Sequence, residues 1–176
     1  MAKKESKRDF IALNIAVLTV SDTRTEKTDS SGRRLVELLE SEGHALYGKI
    51  IVPDDVYMIR AELSKWISNS EVNVILTTGG TGVTGRDGTP EAASVLFDKT
   101  IDGFGEIFRQ LSYQQIKTST IQSRSIAGIA NGIYVFCLPG SLNACVTAWN
   151  EIIKFQLDYR TRPCNLVELM PRLKEK

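Results

Sequence analysis

Histidine is almost missing from this chain. His44 is the only one in 176 residues, and it follows Gly43, a residue suited to end a helix, so it is expected to lie exposed and outside any catalytic set. Without a histidine base no Ser-His-Asp constellation can form, which disfavours hydrolysis through an activated nucleophile. Cysteine is scarce as well. Cys137, Cys145 and Cys164 have no C-x-x-C spacing, which argues against a zinc site or a disulfide framework, and each reads as a small buried hydrophobe in a reducing compartment. An excess of either charge is also lacking: 22 basic and 21 acidic residues leave a formal net charge of +1, so no basic face for nucleic acid is implied. No apolar run reaches the roughly 18 residues of a membrane helix. The first nine positions are polar and mixed in charge, without the apolar stretch of a signal peptide. These absences predict a soluble, cytoplasmic protein with a flexible tail over 1–10 and a single domain over 11–170, long enough to bury a sizeable core.

Strand-like and helix-like segments alternate along that domain. Residues 11–20 read as a buried strand ending at Ser21-Asp22. Leu35, Leu38 and Leu39 mark a helix over 31–42, and a second strand over 46–52 closes at Pro53-Asp54-Asp55. Val56, Ile59, Leu63, Trp66 and Ile67 follow the 3.6-residue period of another helix, and 72–78 is a third strand. A helix after Thr89 and a helix or helical turn over 102–111 come next. Asn131-Gly132 between two apolar runs is a strong hairpin signal. Pro139-Gly140-Ser141 then leads into a last long helix with Cys145, Ala148, Trp149, Ile152 and Ile153 on one stripe, and 160–176 reads as irregular. The pattern predicts an α/β fold: a three-layer α/β/α sandwich whose mostly parallel sheet carries an antiparallel edge hairpin. Ligands of such sheets gather beyond the carboxyl ends of the strands. Four polar loops (21–22, 53–54, 79–87 and 139–141) are expected on that one rim.

The densest chemical signal is Thr77-Thr78-Gly79-Gly80-Thr81-Gly82, followed by Arg86-Asp87-Gly88-Thr89-Pro90-Glu91. A strand end, a glycine loop and a helix start make a phosphate-binding arrangement, because backbone N–H groups can approach an anion where no Cβ intervenes. Gly80, Gly82 and Gly85 also satisfy G-x-G-x-x-G, but Pro90 delays the helix and an earlier strand precedes the loop, so the dinucleotide fingerprint does not apply. A Walker A loop is excluded because no Gly-Lys-Ser/Thr follows. Asp54 and Asp87 each follow a strand closely, where ligands for magnesium-phosphate chemistry tend to sit. Asp54 could instead cap the next helix, with Asp55 a rival for either part, and Asp87 could serve the turn alone. Thr118-Ser119-Thr120 and Ser123-Arg124-Ser125 offer hydroxyls and a guanidinium for a phosphate, or form a solvated loop. Trp66 and Trp149 fit helix packing.

Through Thr19-Val20-Ser21-Asp22, Val52-Pro53-Asp54, the glycine motif with its Asp-x-Thr-Pro-Glu tail, Gly103-Phe104-Gly105-Glu106, Ser123-Arg124 and Leu138-Pro139-Gly140-Ser141, the chain resembles the molybdenum cofactor biosynthesis proteins of the MoaB/MogA type. The resemblance runs over about 15–165, and Gly103 to Leu111 with Arg160-Thr161-Arg162-Pro163-Cys164-Asn165 is most similar to the MoaB branch. It implies the molybdopterin-binding fold and a Mg²⁺-dependent adenylylation of molybdopterin by ATP, giving adenylyl-molybdopterin and pyrophosphate. It also implies catalytic and metal roles for Asp54 and Asp87. Substrate contacts are implied for Ser21, Asp22, Thr78, Gly79, Gly80, Thr81, Gly82, Thr89, Pro90, Glu91, Ser123, Arg124, Pro139, Gly140 and Ser141. Some members of that branch lack an acid at the position of Asp54; this chain keeps it, which favours turnover over the alternative, a non-catalytic molybdopterin-binding or scaffold protein of the same pathway. Pro139-Gly140-Ser141-Leu142 departs from the Pro-Gly-Asn-Pro of other branches. The resemblance further implies a homotrimer or hexamer and contacts with other cofactor-assembly enzymes, with neither nucleic acid nor membrane as partner.

Overall fold

A computed structural model describes residues 8–175. Its elements follow in chain order as β1 (Asn14–Val20), α1 (Ser30–Ser41), β2 (Ala45–Val52), α2 (Val56–Ile67), β3 (Val74–Thr78), α3 (Thr89–Ser94), β4 (Lys99–Thr100), α4 (Asp102–Ile116), β5 (Ile126–Ala130), β6 (Ile133–Leu138), α5 (Leu142–Ala148), α6 (Lys154–Gln156) and α7 (Leu166–Leu169). The six strands lie in the order β2-β1-β3-β6-β5-β4. The first four run parallel, and β5 and β4 complete the edge in antiparallel fashion.

Alternation along the central strands builds two cores. Ile15 and Val17 of β1 and Val74 and Leu76 of β3 point with Phe136 toward α1, α4 and α5, where they meet Leu35, Leu39, Phe108 and Trp149. Ala16, Leu18 and Val20, with Ile75 and Val135, face α2 and α3 and meet Ile59, Leu63, Trp66, Ala92 and Ala93. Helices therefore cover both faces of the sheet, the expected three layers. Fully burying each large apolar side chain stabilises the fold by about 1.5–3 kcal/mol. The hairpin forms where Asn131 and Gly132 adopt φ of 49° and 79°, the two consecutive positive values that a tight two-residue turn demands.

Several expectations need correction. The expected tail over 1–10 lies mostly outside the described residues, but Arg8 is docked: it pairs with Glu168 at 2.7 Å and its guanidinium sits 4.7 Å from the centre of the Tyr159 ring. His44 is buried, not exposed. Its Nδ1 accepts the Leu13 N–H at 3.2 Å, and its ring packs against Phe10 and edge-on to Trp149. Burial holds its pKa below the ordinary imidazole value, against an opposing pull from Asp158. Cys137 and Cys145 are buried, and burial raises their thiols to about 12 and about 11, whereas Cys164 is exposed. The last long helix contains a π-helical turn at Trp149–Ile153, and helical turns continue past it at Leu166–Leu169 and Met170–Arg172. Strand β4 was not expected, and α4 runs five residues past Leu111, to Ile116. Among the described residues no helix is long and apolar enough to cross a membrane.

Candidate functional site

The carboxyl ends of β1, β2, β3 and β6 meet on one rim because local hydrogen bonds lock each loop to its neighbour. The Ser21 N–H donates to Val52 O at 2.9 Å, and the Gly79 N–H donates to Leu138 O at 3.1 Å. Asp22 and Asp54 clasp one another: the Asp22 N–H donates to Asp54 Oδ2 at 2.9 Å, and the Asp54 N–H to Asp22 Oδ1 at 3.1 Å. Gly79 has φ of 106°, and a Cβ there would lie 2.1 Å from Val20 O, so only glycine fits between the ends of β1 and β3. Gly140 packs on Gly79 so closely that an ideal Cβ would sit 3.3 Å from Gly79 Cα and push the two backbones slightly apart.

Beside this junction opens a cleft of about 440 Å³. One wall is the glycine loop with Asp87, Ser123 and the 139–141 turn. Phe108, Ser112 and Ile116 of α4, Gln122 and Ala144 complete it. The turn is braced from two directions: the Thr78 hydroxyl donates to Pro139 O at 2.9 Å, and the Ser31 hydroxyl donates to Gly140 O at 2.8 Å. The loop itself leaves the Gly80 and Thr81 N–H groups without a partner among the described residues.

Asp54 and Asp87 flank the loop. An ideal Cβ on Gly80 would sit 3.4 Å from Asp54 Oδ1, and one on Gly82 would sit 2.7 Å from Asp87 Oδ2. Their environments differ. Burial raises the Asp54 pKa, the charges of Asp22 and Asp87 add to that, and the Asp22 N–H and Arg86 oppose it. For Asp87, burial pulls upward, but hydrogen bonds from Thr84, whose N–H and hydroxyl reach Oδ2 at 2.9 and 2.6 Å, and from the Gly82 N–H outweigh it and lower the pKa. The cap of α2 falls to Asp55, which accepts from the Tyr57 and Met58 N–H groups, so the Asp54 carboxylate is not committed to that helix.

The expected site residues thus divide. Gly79, Gly80, Thr81, Gly82, Asp87, Ser123, Pro139, Gly140 and Ser141 line the cleft. Thr78 and Thr89 are buried, and their hydroxyls brace backbone carbonyls; Pro90 is buried behind them. Ser21 folds its hydroxyl back onto the Thr23 and Arg24 N–H groups. Arg124 does not face the cleft: its guanidinium donates to Gly82 O at 2.6 Å, to Asp87 O at 2.9 Å and to Glu91, so both charged residues strut the loop. Of the Thr118-Ser119-Thr120 group, Thr120 is buried. The wall from α4 had no signal in the sequence beyond its packing period. A buried network behind the rim was also missed. Asp29 caps α1 through the Gly32 N–H and receives the Thr19 hydroxyl at 2.8 Å and the Lys49 ammonium at 2.8 Å. No group of three or more acidic, histidine or cysteine side chains that could hold a metal exists among the described residues.

Comparison with known proteins agrees with this architecture. Residues 16–159 match the model of a probable molybdopterin binding domain. Molybdenum cofactor biosynthesis protein B of Escherichia coli strain K12 is 52% identical over 157 residues, 89% of this chain and 92% of that protein. The protein of the same name from Bacillus cereus is 45% identical over 146 residues, 82% and 86% of the two chains. Among solved structures, a molybdenum cofactor biosynthesis protein B superposes with a TM-score of 0.86 at 39% identity, covering 96% of this chain and all of that one. The tungsten cofactor synthesizing protein MoaB from Pyrococcus furiosus superposes with a TM-score of 0.77 at 37% identity, covering 93% and 98%. The chain belongs to the molybdopterin-binding family of molybdenum cofactor biosynthesis proteins.

Proposed function

We propose that this chain acts in molybdenum cofactor biosynthesis by transferring the adenylyl group of ATP to molybdopterin, releasing pyrophosphate. The observation that carries this reading is the placement of two carboxylates, Asp54 and Asp87, on either side of a glycine loop that lines a cleft with unpartnered N–H groups. The nucleophile is the phosphate of the pterin, already anionic at neutral pH, so no general base is required and the burial of His44 is no obstacle. The barrier is the approach of two anions. Backbone N–H groups of Gly80 and Thr81 can donate to phosphate oxygens, and the struts from Arg124 and Glu91 keep the loop preorganised.

The donor set fits a magnesium ion that arrives with the nucleotide: two carboxylates at the loop, and among the described residues no group of three or more arranged to hold a metal by itself. Bound there, Mg²⁺ would neutralise charge on the transferring phosphate and the pyrophosphate. Asp54, with the higher proton affinity and the less committed oxygens, is the more available ligand; Asp87 holds the loop as well. The chain is read as a homotrimer or hexamer, supported by the exposed Ile107, Tyr113, Ile116 and Ile121 on and after α4. Incubation with ATP, Mg²⁺ and molybdopterin is expected to release pyrophosphate and give an adenylylated pterin. Tight pterin binding without pyrophosphate would instead identify a binding or scaffold protein.

A further inference from the structure

The two guanidinium groups nearest the glycine loop are in different situations. Arg124 is fully engaged with Gly82 O, Asp87 O and Glu91, and its withdrawal would undo the loop. Arg86 touches no backbone carbonyl. Its Nε and Nη2 both donate to one oxygen, Asp22 Oδ2, at 3.1 and 2.5 Å, and the two side chains are 66% and 40% exposed. The other oxygen, Asp22 Oδ1, accepts the Asp54 N–H, and the Asp22 N–H donates to Asp54. Asp22 therefore stays in place beside Asp54 whether or not Arg86 is bound.

The rim as it stands repels a polyphosphate. Asp22, Asp54, Asp55 and Asp87 lie around it, and Arg86 is a side-chain cation beside them that can move without dismantling the loop. Ion pairs this exposed contribute little to stability, so the partner can be exchanged at small cost. A di- or triphosphate presents several negative oxygens in the planar fork geometry that a guanidinium matches best. Gly85, the preceding residue, stands in open space and does not restrain the swing.

We infer that the Arg86–Asp22 pair is an exchangeable latch: on nucleotide entry the guanidinium passes from Asp22 to the phosphate oxygens, and the released Asp22 Oδ2 joins Asp54 in facing the divalent cation. This rests on the reading of the cleft as an ATP site, and assigns Arg86 to substrate binding and Asp22 to cation recruitment. It couples the two partners, because neither phosphate nor cation gains its full set of contacts until the latch opens.

Titration calorimetry with ATP, in Mg²⁺ and in EDTA, tests it. Arg86→Ala is expected to weaken ATP binding roughly ten- to hundredfold in both buffers. Arg86→Lys should restore only part of the loss, since an ammonium cannot form the fork. Asp22→Asn keeps an oxygen for the Asp54 N–H but releases Arg86. It should bind ATP more tightly than the unmodified chain in EDTA and gain less on adding Mg²⁺. Melting temperatures of Asp22→Asn and Arg86→Lys should stay within about 2 °C of the unmodified chain, as for exposed positions. Unchanged affinity in Arg86→Ala, or weaker binding of Asp22→Asn in EDTA, would overturn the latch alone. If the unmodified chain bound no ATP in either buffer, both the latch and the nucleotide reading would be wrong.

Discussion

Asp87 holds a turn and, under the proposed function, also serves the reaction, and one substitution separates the two. Asp87→Asn removes the negative oxygen while keeping an acceptor for the Thr84 and Gly82 donors, so the loop should still form. Because those bonds are charge-assisted, the cost to folding is about 1 kcal/mol, more than a bare surface position would show, and thermal unfolding measures it. Adenylyl transfer should slow roughly 10²–10³-fold, read as pyrophosphate release at saturating substrates. Asp54→Asn should have the opposite effect on stability. A carboxyl whose pKa is raised by burial stabilises the fold fully only below its unfolded value, and that contribution is lost as pH rises through the folded one. At neutral pH the neutral amide is therefore expected to melt at or above the unmodified chain while turnover falls. A variant that melts lower would show that the ionised carboxylate holds the rim together. At this scale the sequence was only half legible. It marked both acids, but left Asp54 and Asp55 as rivals for the helix cap, which only the backbone geometry after Pro53 decides. It also misplaced His44, whose burial depends on Phe10 and Trp149, residues distant in the chain.

The elements most exposed to single changes are the strand–loop junctions. Gly79→Ala would drive a Cβ into Val20 O at a φ that side-chain residues rarely adopt, separating β1 from β3. A loss of at least about 3 kcal/mol is expected, visible in urea unfolding, along with the cleft. Asp29→Ala leaves the Lys49 ammonium and the first turn of α1 without their buried partner, for a cost of about 3 kcal/mol. Since α1 also positions Ser31 against Gly140, pterin affinity should fall with stability in that variant. Most elements could be read from periodicity: α1, α2, the parallel strands and the hairpin all announce themselves through apolar spacing and turn residues. What could not be read had no such period. Strand β4 is two exposed residues, and the last turn of α4 leaves Tyr113 and Ile116 exposed, Ile116 beside the cleft, so no buried apolar period marks where it stops. The cleft wall it forms was invisible for the same reason. The Asp29–Lys49 ion pair joins a loop to a strand 20 positions away, a contact that no local spacing announces.

Over the whole molecule, acid should be the weak side. Asp22, Asp29, Asp87, Glu91 and Asp158 all have lowered values, Asp29 against the pull of its burial, so their stabilisation is present above the ordinary carboxylate range and lost as pH falls through the folded values. His44 adds to this higher up. Its folded pKa is depressed, so stability declines as pH drops below its unfolded value of about 6.5. His44→Asn, which retains an acceptor for the Leu13 N–H, should flatten the fall in melting temperature between pH 7 and 5; an unchanged slope would assign it to other groups. The four strand ends that meet on the rim come from positions 20, 52, 78 and 138, so the rim is assembled from segments spread over about two thirds of the chain. No excised hairpin or βαβ unit can possess it, and loop-closure entropy makes such long-range pairing a late event in folding. Occupancy and global folding therefore form one linked equilibrium. A ligand at a hundred times its Kd should raise the unfolding free energy of the whole sheet by about 2.7 kcal/mol, and should slow amide exchange in β1 and β6 together, not only in the loop it touches.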